Sequence, residues 1–423
     1  MLSLALALAL TQYPQHRLFK QPSLPTASYA FFEAFPASGA GTTTACSTTA
    51  PTGARGEALT FTRTGSATCT KTASGGLTTT GIADGDLVSL SGNVARVEYD
   101  SAGTLGLLVE SSRTNSLLRS EEISNAAWTK LGTVIAAPTV TADFATSPGG
   151  TTTAERVQLA ASSGASQTSL IRQTITTTGG AAYVCTVYVR GNGTSGTTYI
   201  NNSLAAGGST PGACAYVSGS WTRCSFAFNA GGVADGCDLG TNTFLNIATT
   251  QPTHDLLVWG FQLEAGSYAT SYIPTTTASA VRNAESATFA VTTPAASQSI
   301  AASRNGPTAG SGARVLALTQ TSGSAAYGIG VYGSSGTGTA LLGNTPNTLA
   351  AGTLAVATRA WASWDGTTFT VNFDGTSNTS TPGASITVRN TLAVGIDTAG
   401  GGSGWADGIV SRVCLDSIST RCR

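Results

Sequence analysis

Apolar residues along this chain recur with a period of two, in short runs broken by Gly, Asn and Asp. Residues 59–64 (LTFTRT) alternate strictly, as a half-buried strand does. In 183–191 (YVCTVYVRG) the pattern puts Tyr183, Cys185, Val187 and Val189 on one face, with Val184, Thr186, Tyr188 and Arg190 on the other. In 221–228, Trp221, Arg223, Ser225 and Ala227 stand opposite Thr222, Cys224, Phe226 and Phe228. The same reading predicts strands at 67–71, 87–90, 94–99, 134–135, 154–159, 168–175, 198–200, 215–217, 243–247 and 255–263. Further on, 361–376 (WASWDGTTFTVNFDGT) predicts a hairpin turn at Asp365-Gly366 and a second turn at Asp374-Gly375. Between them Phe369, Val371 and Phe373 face inward, with Thr370 and Asn372 outward. Short strands at this spacing belong to sandwiches and jelly rolls. The fold class is all-β: two jelly-roll-like β-sandwiches in tandem behind an extended N-terminal arm.

A length of 423 residues suits two or three domains. The predicted division is an arm over 1–57, a first sandwich with its leading strands over 58–275, a linker over 276–284 and a second sandwich over 285–423. The linker has no apolar periodicity and follows Pro274. The arm opens on MLSLALALAL, which reads as a secretory h-region without a basic flank or as a segment that docks on a partner subunit. Its Pro14, Pro22, Pro25 and Pro36 favour extended chain. Only 10% of residues are charged, against about 25% in ordinary soluble proteins, and the formal net charge is +0. That balance excludes the basic stripe a nucleic-acid partner needs. Beyond the N-terminus no apolar run is long enough to span a membrane.

The candidate chemistry is sparse. Eight cysteines fall in sequence-local pairs, Cys46 with Cys69, Cys185 with Cys237, Cys214 with Cys224 and Cys414 with Cys422. An even count in a Ser/Thr-rich β protein favours disulfides and an oxidising setting, although spacing leaves connectivity open. Cys214 and Cys224 are best placed, because CAYVSGSWTRC reads as two strands about a Ser-Gly-Ser turn. The two histidines, His16 and His254, and the absence of C-x-x-C argue against zinc. His254 reads as a surface residue in a loop. Asp84 and Asp86, in a turn, could hold a weak structural calcium, as could Asp235 with Asp238, but no other cofactor is indicated. No catalytic set is found: Glu121 and Glu122 are adjacent and would point apart on a strand, and a glycosidase needs two carboxylates across one bond. Sugar binding asks for exposed aromatic faces rimmed by polar groups. The candidates are Trp361, Trp364 and Trp405 in the second block, with Trp128 and Tyr272 in the first.

Two segments carry a resemblance. Residues 106–130 read GLLVESSRTNSLLRSEEISNAAWTK, and 256–276 read LLVWGFQLEAGSYATSYIPTT. Together with the leading strands from 59 onward they resemble a β-sandwich module of tailed-phage fibres, spikes and head fibres. Within the first of them, Glu110 and Arg113 are expected to pair and hold a turn. The DG turns of 361–376 and the close WADGIVSRVCLD resemble a laminin-G or concanavalin-like jelly roll. The resemblance implies a non-enzymatic virion structural protein on the particle surface, joined to other virion proteins through its arm, homo-oligomeric, and binding host-surface glycan. The alternatives are a secreted lectin-like bacterial protein, if residues 1–10 are a cleaved signal, and a capsule-degrading tail spike.

Overall fold

A computed structural model describes residues 45–49, 58–71, 80–99, 105–164, 167–202, 204, 211–232, 234–242, 250–290, 298–305, 313–319, 329–334, 337–342, 347–353, 357–381, 391–394 and 408–416. Among them are 28 strands and no helix, so the protein is all-β. The first sandwich stacks two five-stranded antiparallel sheets. In one, the inner strand Ala182–Gly191 lies between the edge strand Thr222–Asn229 and the central His254–Ala265. At the centre of the other, Asp235–Asn242 lies between Gly196–Asn201 and Thr168–Ile175. Cys185, Val187, Val189, Cys224, Phe226 and Phe228 point into the shared core, as the period of two requires. Leu239 and Ile200 meet them from the opposite sheet.

Two disulfides lock the sheets together. Cys185–Cys237 crosses the core between inner strands of the two sheets. Cys214–Cys224 ties Gly212–Tyr216, at the edge of one sheet, to Thr222–Asn229, at the edge of the other. These two strands therefore do not form the hairpin expected from the sequence; the turn between them passes from sheet to sheet. Cys46–Cys69 fastens the leading segment, and Cys422, with the fourth pairing, lies outside the described residues. Because the Cys214–Cys224 loop is only 10 residues, replacing both cysteines by alanine is expected to cost about 2–3 kcal/mol of unfolding free energy. Urea midpoints of parent and variant check this, and equal midpoints would contradict it.

A bulge reverses the pattern inside His254–Ala265. Leu256 and Val258 face the core, then Gly260 takes a φ of 67° and the register against Ala182–Gly191 shifts between Thr186 and Tyr188. Phe261 and Leu263 thereby return to the core, and Trp259 is left on the outer face. A Cβ at Gly260 would come within 3.0 Å of the Tyr188 ring, so glycine serves both the turn and the packing. On that outer face Tyr188, Trp221, Leu257, Trp259 and Tyr272 form a second cluster, closed over by Ile82 and Leu87 from the leading segment.

The second block comprises two seven-stranded sheets, and both draw on strands from the start of the chain. Leu59–Thr62 pairs with Ser286–Ala290. Leu105–Val109 pairs with Gly408–Asp416 on one side and Arg96–Tyr99 on the other. Leu59–Thr62, Arg96–Tyr99 and Leu105–Val109, grouped with the first sandwich in the sequence reading, thus join sheets of the second block, whereas Ala67–Thr70 and Leu87–Leu90 pair with each other. The segment 276–284 is also tied down: Ala280–Arg282 pairs with Arg113–Asn115. Phe369–Phe373 is buried on both faces, Thr370 and Asn372 included, because it is an inner strand between Ala357–Trp364 and Thr376–Ser380.

Where the two blocks meet, the resembling segments supply a sealed network of charges. Glu285 accepts hydrogen bonds from Arg63 Nη1 at 2.7 Å, from Arg96 Nε at 2.7 Å and Nη2 at 2.6 Å, and from the Glu110 amide at 2.9 Å. Glu110 takes Arg96 Nη2 at 2.6 Å and the Ser271 amide at 2.9 Å, and the Ser271 hydroxyl bonds both Glu110 and Arg96. Burial alone would raise the Glu110 pKa, but Arg282 and Arg96 hold it well below the usual carboxylate range. The expected Glu110–Arg113 pair does not form. Arg113 instead stands 3.9 Å from Glu264, since the neighbouring strands bring Arg96 and Arg282 to Glu110 first. Asn115 donates to the carbonyls of Phe261 and Ile273 at 3.0 and 2.8 Å, joining the opening and closing segments directly.

Candidate functional site

The outer face of the first sandwich carries a row of polar and aromatic groups beside the covered cluster. Across the sheet, Arg190, Leu257, Arg156 and Thr141 stand in register on four adjacent strands. In the edge strand Thr139–Ala145 the pairing breaks between Thr141 and Ala145, and Asp143 adopts a φ of 49°. That bulge turns Phe144 outward, 43% exposed, with the Arg156 guanidinium 5.2 Å from its ring centre. Arg156 forks onto Asp255 at 2.8 and 2.6 Å. Asn192 adds a side-chain bond to Asp255 at 3.2 Å and a backbone bond to its carbonyl at 2.9 Å. The Arg156 hydrogen bonds hold Asp255 below the usual carboxylate range. Arg156 and Asp255 each keep over a quarter of their side-chain surface in solvent. A second set follows along the row, where Arg190 lies over Trp221 at 4.7 Å and donates to Asp84 at 2.8 Å. The face pairs each cation with a ring and a carboxylate, so it offers forked hydrogen bonding without net charge.

The aromatic residues favoured by the sequence lie elsewhere. Trp128, Tyr272 and Trp364 are buried, which leaves them without an open ring face for a sugar. Trp128 packs 4.5 Å from Phe261 and donates its indole N–H to the Arg119 carbonyl, so it anchors its loop. Tyr272 bonds Ser120 Oγ at 2.7 Å inside the covered cluster. Trp361 is half-buried, opposite Asn372, and Trp405 lies outside the described residues. Among the residues whose burial is described, Phe144 is an exposed aromatic side chain. The sequence signal for it was an aromatic in a polar run, which a preference for tryptophan passed over.

The remaining candidates are committed to structure. Asp84 accepts from Arg190 and from the Trp221 indole, both at 2.8 Å, while Asp86 accepts from the Ala83 amide at 2.8 Å. Asp238 forks with Arg172, and Asp235 takes Asn202, Thr177 and the Gly231 amide. These are turn and ion-pair partners, and no group of three metal-binding side chains occurs among the described residues. Glu121 accepts from the Tyr272 hydroxyl at 3.1 Å, and Glu122 pairs with Arg119 at 2.9 Å. His254 is buried at the start of its strand, not exposed in a loop, because it follows the inward alternation of Leu256 and Val258. Its Nδ1 meets Tyr216 Oη at 2.8 Å, and burial lowers its pKa.

No family model matches the chain, and no curated protein matches it. Among solved structures, domains LG4-5 of the mouse laminin alpha1 chain are similar at 12% identity, over 57% of this chain and 86% of that one, with a TM-score of 0.23. The tandem CBM22-1-CBM22-2 domains of Paenibacillus barcinonensis Xyn10C are similar at 11% identity, over 73% and 97%, with a TM-score of 0.24. Superpositions this partial carry no argument about function, and the all-β assignment rests on the strands themselves.

Proposed function

We propose that this chain is a non-enzymatic adhesive protein of the cell exterior, whose first sandwich holds an uncharged glycan on the face of Phe144, Arg156, Asp255 and Asn192. The supporting observation is that an exposed aromatic ring, Phe144, stands beside a solvent-accessible Arg–Asp–Asn fork. A sugar presents an apolar C–H face to a ring and a rim of hydroxyls to such a fork. A face without net charge favours a neutral ligand. The surface is shallow, so each contact is weak and strength comes from several copies binding together.

In its finer form the reading is a fibre, spike or decoration protein on the virion of a tailed phage. The arm over 1–57 joins it to other virion proteins, and the copies associate as a homo-oligomer. Support comes from the segments 106–130 and 256–276. The three disulfides favour a secreted lectin-like protein as the second reading, because such bonds form in oxidising compartments. N-terminal sequencing of the mature protein separates the two, since a retained Met1 excludes a cleaved signal.

The glycan reading is tested on an array of host-surface glycans. The parent is expected to bind uncharged members, and Phe144→Ala to lower apparent affinity at least about tenfold, the equivalent of about 1.4 kcal/mol. Arg156→Gln is expected to do the same. Binding unchanged in both variants, with near-ultraviolet circular dichroism intact, sinks the assignment of this face.

A further inference from the structure

The junction between the blocks holds charges that do not balance. Three arginines, Arg63, Arg96 and Arg282, face two ion-paired glutamates, Glu110 and Glu285, and none of the five is more than 3% exposed. The third carboxyl of the junction, Glu98, is fully buried, and neither of its oxygens makes a hydrogen bond of good geometry. Burial, against the pull of Arg96, pushes its pKa up to about 8, so near neutral pH its protonated form predominates. The cation with the least complete hydrogen bonding is Arg282. Its Nη1 stands 3.2 Å from Glu110, yet Nε, Nη1 and Nη2 all lack a hydrogen bond. Its strand partner is Arg113, and like charges directly opposite repel. A sealed guanidinium with unmet donors is costly, and Glu110 alone does not satisfy them.

We propose that a small monovalent anion of the chloride class binds against Arg282 and completes the clasp between the two blocks. One negative charge matches the excess of Arg63, Arg96 and Arg282 over Glu110 and Glu285, whereas a divalent oxyanion would overshoot it. The groups facing Glu98 are Arg96, Glu110 and Glu285 from the junction, and Tyr188 with Arg223 from the first sandwich. Once Glu98 ionises, the excess disappears and the anion is no longer required.

The test uses the full chain in sodium chloride, sodium bromide and sodium gluconate at equal ionic strength, so that general screening is constant. At pH 7 the melting temperature is expected to rise with the logarithm of halide concentration, on the order of 2 °C per tenfold, and not with gluconate. At pH 9 the parent is expected to lose this dependence, while Glu98→Gln, which cannot ionise, keeps it. Crystals grown in bromide are expected to show an anomalous peak within hydrogen-bonding distance of Arg282. Coincident halide and gluconate curves at pH 7, or no bromide at Arg282, would overturn the proposal. Arg282→Gln is expected to abolish the halide effect. Should that variant not fold, the Glu98→Gln comparison and the bromide peak decide.

Discussion

Glu285→Gln is expected to lower the unfolding free energy by about 3–5 kcal/mol, because it leaves two buried guanidinium groups short of their counter-charge. The carboxylate takes both Arg63 and Arg96 and also accepts the Glu110 amide. An amide in its place turns an N–H₂ group toward existing donors. The loss is structural in reach, since Glu285 leads directly into Ser286–Ala290, the partner of Leu59–Thr62. Glu122→Gln is the control: its pair with Arg119 keeps 47% of the Glu122 side chain exposed, and such pairs are worth about 0–1 kcal/mol. Urea midpoints at fixed slope compare the two. A Glu285→Gln shift no larger than that of Glu122→Gln would show that the junction does not hold the blocks together.

The second large effect is a pH dependence centred on Glu98. Its carboxyl rises from an ordinary 4.5 to about 8 on folding, so the folded state holds its proton more tightly than the unfolded chain. The stability associated with this group is complete below about 4.5 and is lost as pH rises toward 8, by about 1.4 kcal/mol for each pH unit. Glu110 acts in the opposite sense: its depressed pKa gives stability that is present above the ordinary carboxylate range and is lost on acidification. The parent is therefore expected to be most stable near the lower end of the Glu98 window and to weaken toward pH 8. Glu98→Gln is expected to flatten that decline and to exceed the parent at pH 8. Melting temperatures from pH 5 to 9 measure both. A parent profile that climbs over this range, or a variant less stable than the parent at pH 8, would contradict the assignment.

Much of the first sandwich was legible because its inner strands alternate cleanly. Cys185, Val187 and Val189 face the core together, as the alternation places them. The expected Cys46–Cys69, Cys185–Cys237 and Cys214–Cys224 pairs are present. Other strands left little signal. Asp235–Asn242 (DGCDLGTN) is not among the strands the sequence predicts; it is a strand because Cys237 bridges, Leu239 enters the core and both aspartates find side-chain partners. Thr139–Ala145 is an exposed edge without a buried face, so no alternation marks it, and Phe144 went unnoticed with it. The junction was beyond reach for a different reason. Arg63 and Glu285 are 222 positions apart, and nothing local announces that the start of the chain completes sheets made near its end.

The most direct measurement is a crystal structure of the full chain with the strongest uncharged glycan found on the array. The expected result is a sugar ring stacked on Phe144, with its hydroxyls bonded to Arg156, Asp255 and Asn192. A ligand seated instead on the second block, for example against Trp361, or no ligand at saturating concentration, would contradict a glycan-binding face on the first sandwich.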